Sequence, residues 1–210
     1  MSEDQANSWS KRAEKFLENL KKNFRLSYVD AGPPPSGYID LFVYSLKPGE
    51  EKWRTILAQH SSKFIEIISM ADLLHKVQQA CAGGQKIRYL RIMGHGSSGS
   101  FRVGYHDMNG SVGQSTLFGM TDKKPTPLYN EFEKLKNFLD VSQSVVILDH
   151  CNTGTHEAVL IRFSNILGGV NVRGFIDFQY WERSDVQYGQ GMYRQCAGHQ
   201  CHTGVELTRS

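Results

Sequence analysis

The chain has 210 residues, 40% of them hydrophobic and 21% charged, a balance typical of a globular protein with one core. Its net charge of +3 is too small to predict nucleic-acid binding. No apolar run approaches the roughly 20 residues of a membrane span, and the polar N-terminal region lacks the apolar segment of a signal peptide. We therefore expect a cytoplasmic protein, although an effector exported without a classical signal peptide would have the same composition.

The first 37 residues differ in character from the rest. Residues 8–24 predict an amphipathic helix, because apolar residues recur there at helical spacing. Three consecutive prolines, Pro33 to Pro35, cannot continue a helix and predict a linker over 31–37. We divide the chain accordingly into a helix and linker region, 1–37, and an α/β domain, 38–210.

Strands and helices alternate regularly from residue 38 onward. This alternation predicts right-handed crossovers and a mostly parallel sheet. The predicted strands are 38–46, 64–70, 87–93, 145–148 and 172–178, with a short one near 100–104. The predicted helices are 50–60, 71–82, 128–139 and 155–167. The Gly-rich segment 105–127 and the region after 178 are less regular, and the latter leaves room for a sixth strand.

Two of these strands end in residues that can carry chemistry. The strand at 87–93 runs into Gly94-His95-Gly96, and the strand at 145–148 runs into Asp149-His150-Cys151. Functional groups of parallel sheets collect at the carboxyl ends of the strands, so His95 and Cys151 meet if the two strands are neighbours. An imidazole or a helix N-terminus lowers the pKa of a thiol and makes it a nucleophile. We expect Cys151 to have both a nearby imidazole, that of His95, and a helix N-terminus, since a helix is predicted just after Gly154.

Glycines beside the two residues extend this interpretation. The backbone N–H groups of Gly96 and Cys151 are predicted to form an oxyanion site for a carbonyl under attack. A glycine there lets a peptide backbone approach closely. The alternative is that Cys151 is a small buried residue and His95 a turn residue.

The motifs resemble those of the caspase-like (clan CD) cysteine peptidases, most closely the bacterial CHAT type. The resemblance rests on an apolar strand with His-Gly and Ser-x-Gly, then an apolar strand with Asp-x-Cys-x-x-Gly, and covers roughly residues 38–178. Caspases place the histidine about 50 residues before the cysteine, and the separation here is similar. The resemblance implies a three-layer α/β sandwich with a mostly parallel central sheet flanked by helices. It also implies His95 as general base and Cys151 as nucleophile of an endopeptidase that uses no cofactor.

The likeness further implies a protein or peptide substrate, control by an activating ligand or partner, and a role as a bacterial effector, toxin or defence protease. Caspases proper have Gln-Ala-Cys where this chain has Asp149-His150-Cys151, so their specificity for Asp is not carried over. For substrate binding we nominate Ser97, and Asp177 or Asp185 as acidic groups that would select Arg or Lys. Arg173 or Arg183 would instead select an acidic residue.

Several other patterns point to different chemistry. Gly94-x-Gly96-x-x-Gly99 matches a dinucleotide fingerprint, but no helix pattern follows it. No Gly-x-Ser-x-Gly elbow of a serine hydrolase is present. Potential metal ligands occur in two groups: Cys196, His199, Cys201 and His202, and separately His106, Asp107, Asp149, His150 and His156. Neither spacing demands a metal, so we predict none. A non-catalytic caspase-like binding domain and a metal-dependent hydrolase remain as alternatives.

Overall fold

The computed structural model describes residues 26–28, 33–51, 54, 64–98, 100–105, 117–119, 127–176 and 191–207, and the structural statements below concern these residues. The fold is mixed α/β, as the alternation of elements predicts. The predicted helices 8–24 and 50–60, and most of the segment 105–127, lie outside the described residues apart from isolated positions.

The described residues form eleven strands. In chain order they are β1 (Leu26–Tyr28), β2 (Tyr38–Tyr44), β3 (Phe64–Glu66), β4 (Lys86–Met93), β5 (Gly96–Ser97), β6 (Ser100–Arg102), β7 (Leu117–Gly119), β8 (Val145–Asp149), β9 (Asn171–Phe175), β10 (Gly191–Ala197) and β11 (Gln200–Leu207). Eight of them build the central sheet in the order β1-β11-β10-β9-β8-β4-β2-β3. The strands β3, β2, β4, β8 and β9 run parallel to one another. β10 runs antiparallel to its two neighbours, β9 and β11, and β1 pairs parallel with β11. The sheet is therefore mostly parallel, as predicted.

Side chains alternate between the two faces of this sheet. One face joins the main apolar core, which includes Leu90, Ile92, Val146 and Leu148. The other face carries a smaller cluster around Ile147, Phe175 and Tyr193, together with buried charged groups.

Three α-helices occur within the described ranges: α1 (Met70–Ala80), α2 (Pro127–Glu133) and α3 (Glu157–Ile166). They pack on the face of the main core and contact one another, α1 with α2 and α2 with α3. In α1, buried Met70, Leu73, Leu74 and Val77 follow helical spacing. The hydroxyl of Ser69 caps this helix by accepting a hydrogen bond of 3.1 Å from the Asp72 N–H. This cap shortens the predicted strand 64–70, because α1 begins where we expected the strand to continue.

The other differences from the predicted elements lie near the chain ends, in α2, and in a second, antiparallel sheet, β5-β6-β7, of which only the strand near 100–104 was predicted. The predicted helix 128–139 is α-helical only to Glu133 and continues as a 3-10 helix over Lys134–Phe138. The region after 178 contains the hairpin of β10 and β11 rather than one strand. Leu26–Tyr28, which we assigned to the N-terminal helix and linker region, adds an edge strand to the central sheet.

Candidate functional site

The strands that end in His95 and Cys151 lie side by side. β4 and β8 are parallel neighbours, and Met93 pairs with Asp149 in their last register position. The Gly94 N–H extends the ladder with a 3.3 Å hydrogen bond to the Asp149 carbonyl. Neighbouring strands are about 5 Å apart, so residues that follow the two ends at equal positions begin close together. This adjacency meets the condition on which the predicted pair depends.

His95 contacts an acid that our sequence analysis did not single out. Its Nε2 lies 2.8 Å from Oε1 and 3.0 Å from Oε2 of Glu50. Glu50 sits in the turn after β2, where its N–H donates to the Lys47 carbonyl at 3.1 Å and its Oε2 accepts from the Lys47 N–H at 3.1 Å. The turn therefore holds the carboxylate in place. The only signal in the sequence was an acidic residue close behind the Pro48-Gly49 turn at a strand's carboxyl end.

Tyr105 covers another side of the histidine. Its ring is edge-on to His95, with ring centroids 6.4 Å apart. Burial, and to a smaller extent the charge of Glu50, raises the pKa of Tyr105 to about 12. The Arg102 guanidinium lies 5.1 Å from the centroid of the tyrosine ring. The phenol is thus neutral at physiological pH, and the wall beside His95 is aromatic.

The turn that carries Cys151 has an unusual backbone. Asn152, the next residue, has φ 54° and ψ 15°, the left-handed region that asparagine tolerates better than most residues. A short 3-10 helix, Thr153–Thr155, follows, and α3 begins only at Glu157. The predicted helix 155–167 is therefore present, but it begins two residues later than expected, after the 3-10 turn.

Gly154 fixes this turn against the sheet. A Cβ at Gly154 would lie 2.1 Å from the carbonyl oxygen of Gly174 in β9. A Cβ at Gly174 would in turn lie 2.9 Å from the Gly154 nitrogen. The glycine of the Cys-x-x-Gly motif is thus required by a backbone-to-backbone contact. A further link, 2.9 Å between the Ser98 and Thr155 hydroxyls, ties the His95 turn to the Cys151 turn.

His150 packs inside the protein. Its side chain is fully buried against Phe101, and its Nε2 lies 2.9 Å from the Arg102 carbonyl oxygen. Burial lowers the pKa of His150 to about 4, so the ring is neutral at physiological pH. It also fills the space beside Gly94 and Gly96, where an added Cβ would lie within 3.1 Å of His150 atoms. These contacts agree with a packing role.

Asp149 belongs to a buried network of charges. Arg91 Nη1 donates to Asp149 Oδ2 at 3.1 Å, and the same guanidinium pairs with Glu206. Arg173 completes the network through Glu206. Burial raises the pKa of Asp149 to about 6, although the charge of Arg91 opposes the shift. The network joins the strands that end in His95 and Cys151 to β9 and β11.

The backbone after His95 leaves one N–H group directed away from its hairpin partner. The Arg102 N–H donates to the His95 carbonyl at 3.1 Å, which makes these residues a hydrogen-bonded pair. The next pair, Gly96 with Phe101, is therefore of the non-hydrogen-bonded type. The Gly96 N–H consequently points away from β6, an orientation that an oxyanion donor requires.

The residues nominated for substrate selection have different positions. Ser97 is exposed, and its hydroxyl lies 2.7 Å from that of Ser100. Asp177, Asp185 and Arg183 lie outside the described residues. Arg173 is buried, and its guanidinium binds Glu206 and the Gln195 amide oxygen. Arg173 is therefore not exposed in a pocket where it could bind an acidic side chain of a substrate.

The cysteine and histidine group near 200 is not arranged as a zinc site. Cys196 and Cys201 face each other across β10 and β11 and form a disulfide. The two other cysteines are Cys81, buried near the end of α1, and Cys151. Within the described ranges, no three His, Cys, Asp or Glu side chains are grouped as metal ligands. His106 and Asp107 lie outside those ranges.

One open groove of about 700 Å³ lies elsewhere, between α3 and the turn of the β10–β11 hairpin. It is lined in part by Ile161, Arg162 and His199, and neither His95 nor Cys151 borders it.

Comparisons with protein-family models, with curated proteins and with solved structures return no match to this chain. None of the described helices is long and apolar enough to cross a membrane.

Proposed function

We propose that this chain is a caspase-like cysteine endopeptidase whose nucleophile is Cys151 and whose general base is His95. The observation that carries the proposal is the adjacency of β4 and β8, since both residues follow these parallel neighbours at equal distance from the last paired position. In chain order, β4 and β8 are also the third and fourth parallel strands from β2 onward, which agrees with the resemblance described above.

The reaction follows from these groups. His95 takes the proton of the Cys151 thiol, and the thiolate attacks the carbonyl carbon of a peptide bond. The oxyanion that forms accepts hydrogen bonds from the N–H groups of Gly96 and Cys151. The carbon–nitrogen bond then breaks, and the leaving amine receives the proton from His95. Water hydrolyses the resulting thioester, with His95 again taking a proton, and releases the acid and the thiol.

Two further features support this chemistry. The left-handed backbone of Asn152 is a conformation uncommon for residues other than glycine, and such conformations concentrate at functional sites. The Gly154–Gly174 contact holds the turn of Cys151 rigidly against β9. The proposal includes the three-layer arrangement of the resemblance, for which α1, α2 and α3 supply a layer on one face of the sheet. The substrate is a protein or peptide, and an exported effector is as compatible with this chemistry as a cytoplasmic enzyme.

Labelling with a thiol-reactive peptide tests the proposal. We expect Cys151→Ala to abolish labelling and cleavage, whereas the control Cys81→Ala retains both, because Cys81 is buried away from the site. His95→Ala should lower the cleavage rate by about 100- to 10,000-fold, the range of a positioned acid–base group. Full activity of Cys151→Ala would refute the proposal. Activity that a chelator removes, together with an unreactive thiol, would instead favour the metal-dependent hydrolase.

A further inference from the structure

The pairing of Glu50 with His95 goes beyond the dyad proposed above. Both carboxylate oxygens lie within 3.0 Å of the same ring nitrogen, Nε2. The Glu50 side chain is 17% exposed, whereas that of His95 is 40% exposed. The contact therefore lies at the base of the site, with the histidine reaching from it toward solvent.

The chemistry of the two groups determines where the ring proton lies. An ionised carboxylate only accepts hydrogen bonds, so a nitrogen this close must carry the proton. In the neutral imidazole the proton is then on Nε2, and Nδ1 is the basic nitrogen. A histidine that must remove a thiol proton needs one basic nitrogen in a defined position. The contact with Glu50 fixes which ring nitrogen of His95 is basic and restrains the position of the ring.

We propose that Glu50 is a positioning residue of the active site, which holds His95 in the Nε2–H tautomer and presents Nδ1 to the Cys151 thiol. This inference rests on the proposed peptidase function. The proton moves from Cys151 Sγ to His95 Nδ1, which leaves a thiolate and an imidazolium. The Nε2–H stays hydrogen-bonded to Glu50, whose negative charge stabilises the imidazolium.

The surroundings favour this role over that of an incidental ion pair. The competing partner of Glu50 is Lys47, whose ammonium is 3.6 Å away and 54% exposed, a weak and screened contact. The backbone N–H of Lys47 instead orients the carboxylate, with a 3.1 Å hydrogen bond to Oε2. Tyr105 closes the other side of the ring. The geometry thus restrains both the carboxylate and the imidazole.

The tautomer of His95 can be measured without any assay of activity. In the full chain with ¹⁵N-labelled histidine, two-bond couplings between ring nitrogens and ring protons distinguish the tautomers. We expect His95 of the wild type to be in the Nε2–H form when neutral, and Glu50→Ala to lose this preference. Glu51→Gln is the matched control: Glu51 lies in the same turn, and its carboxylate accepts a hydrogen bond from the Gly49 N–H rather than from His95.

Kinetics supply the second measurement. Glu50→Ala should lower kcat by about 10- to 100-fold with KM unchanged, less than the loss of His95 itself, because water can partly replace the carboxylate at the half-exposed ring of His95. Glu50→Gln keeps an acceptor oxygen and should restore part of the rate. Thermal unfolding confirms that each variant is folded.

The outcomes separate this inference from the function on which it rests. If His95 of the wild type shows no tautomer preference, or if that preference survives in Glu50→Ala, the proposed role of Glu50 is overturned. This holds whatever the peptidase activity of the variant. If the tautomer responds as expected but Cys151→Ala still cleaves peptides, the peptidase proposal fails and the catalytic role of Glu50 fails with it. A tautomer change that accompanies a loss of kcat supports both.

Discussion

The contact between Gly154 and Gly174 makes the most direct test of how the Cys151 turn is held. In Gly154→Ala the new Cβ would lie 2.1 Å from the Gly174 carbonyl oxygen, whereas close carbon–oxygen contacts are about 3.3 Å. The turn must therefore move away from β9 by about 1 Å, since both partners are backbone atoms. Overpacking of this kind costs about 1–3 kcal/mol. A displacement of about 1 Å at a catalytic group lowers rates by roughly 100-fold.

Urea unfolding and the rate of Cys151 alkylation measure the two effects. In a chain of this length about 2 kcal/mol corresponds to a fall of roughly 4–8 °C in Tm, which thermal unfolding checks independently. Gly83→Ala is the matched control, because only the flexible side chain of the nearby Gln85 lies where its Cβ would be added. Unchanged stability and unchanged thiol reactivity in Gly154→Ala would show that the turn does not depend on this contact.

Three further predictions follow from the described residues. Asn152→Val should destabilise the fold by about 1–3 kcal/mol in urea unfolding, because a β-branched residue is strained at φ 54°, whereas Asn152→Gly should be nearly neutral; equal effects would contradict the left-handed conformation. Between about pH 6 and 4, the lowered pKa of His150 makes the free energy of unfolding fall on acidification, while the raised pKa of Asp149 makes it rise. Unfolding at several pH values should thus show a steeper loss in Asp149→Asn and a shallower one in His150→Gln, and identical slopes would refute the shifts. Reduction of the Cys196–Cys201 disulfide should cost about 2 kcal/mol, the value for a loop this short, and a Tm insensitive to reductant would exclude that contribution.

The strands that lead to the site were predictable because their signal is local. Lys86–Met93 and Val145–Asp149 are rich in apolar, strand-forming residues and are followed by glycine or polar residues, and their observed bounds differ from the predicted ones by one residue. Parallel neighbours buried on both faces produce this kind of run. The placement of His95 and Cys151 at one edge of the sheet follows from those strands alone.

The parts that were missed depend on contacts between distant residues. Glu50 lies 45 positions before His95, and nothing in its own neighbourhood indicates the pairing. The strands β10 and β11 alternate apolar with polar residues such as Gln195 and Glu206, and we interpreted this region as irregular, with room for one strand. Both side chains are buried, because Arg173 on β9 satisfies them. A polar residue with a buried partner cannot be told from a surface residue by its type.

The buried charges also set an order in which the protein can assemble. Arg91 and Arg173 share Glu206, which lies on β11, the last strand along the chain that the structure describes. A buried ion whose partner is missing costs about 3–5 kcal/mol. Until residues 200–207 have left the ribosome, β4, β8 and β9 hold two arginines against the single carboxylate of Asp149. We therefore expect the growing chain to complete its sheet late, only after residues 200–207 have emerged from the ribosome.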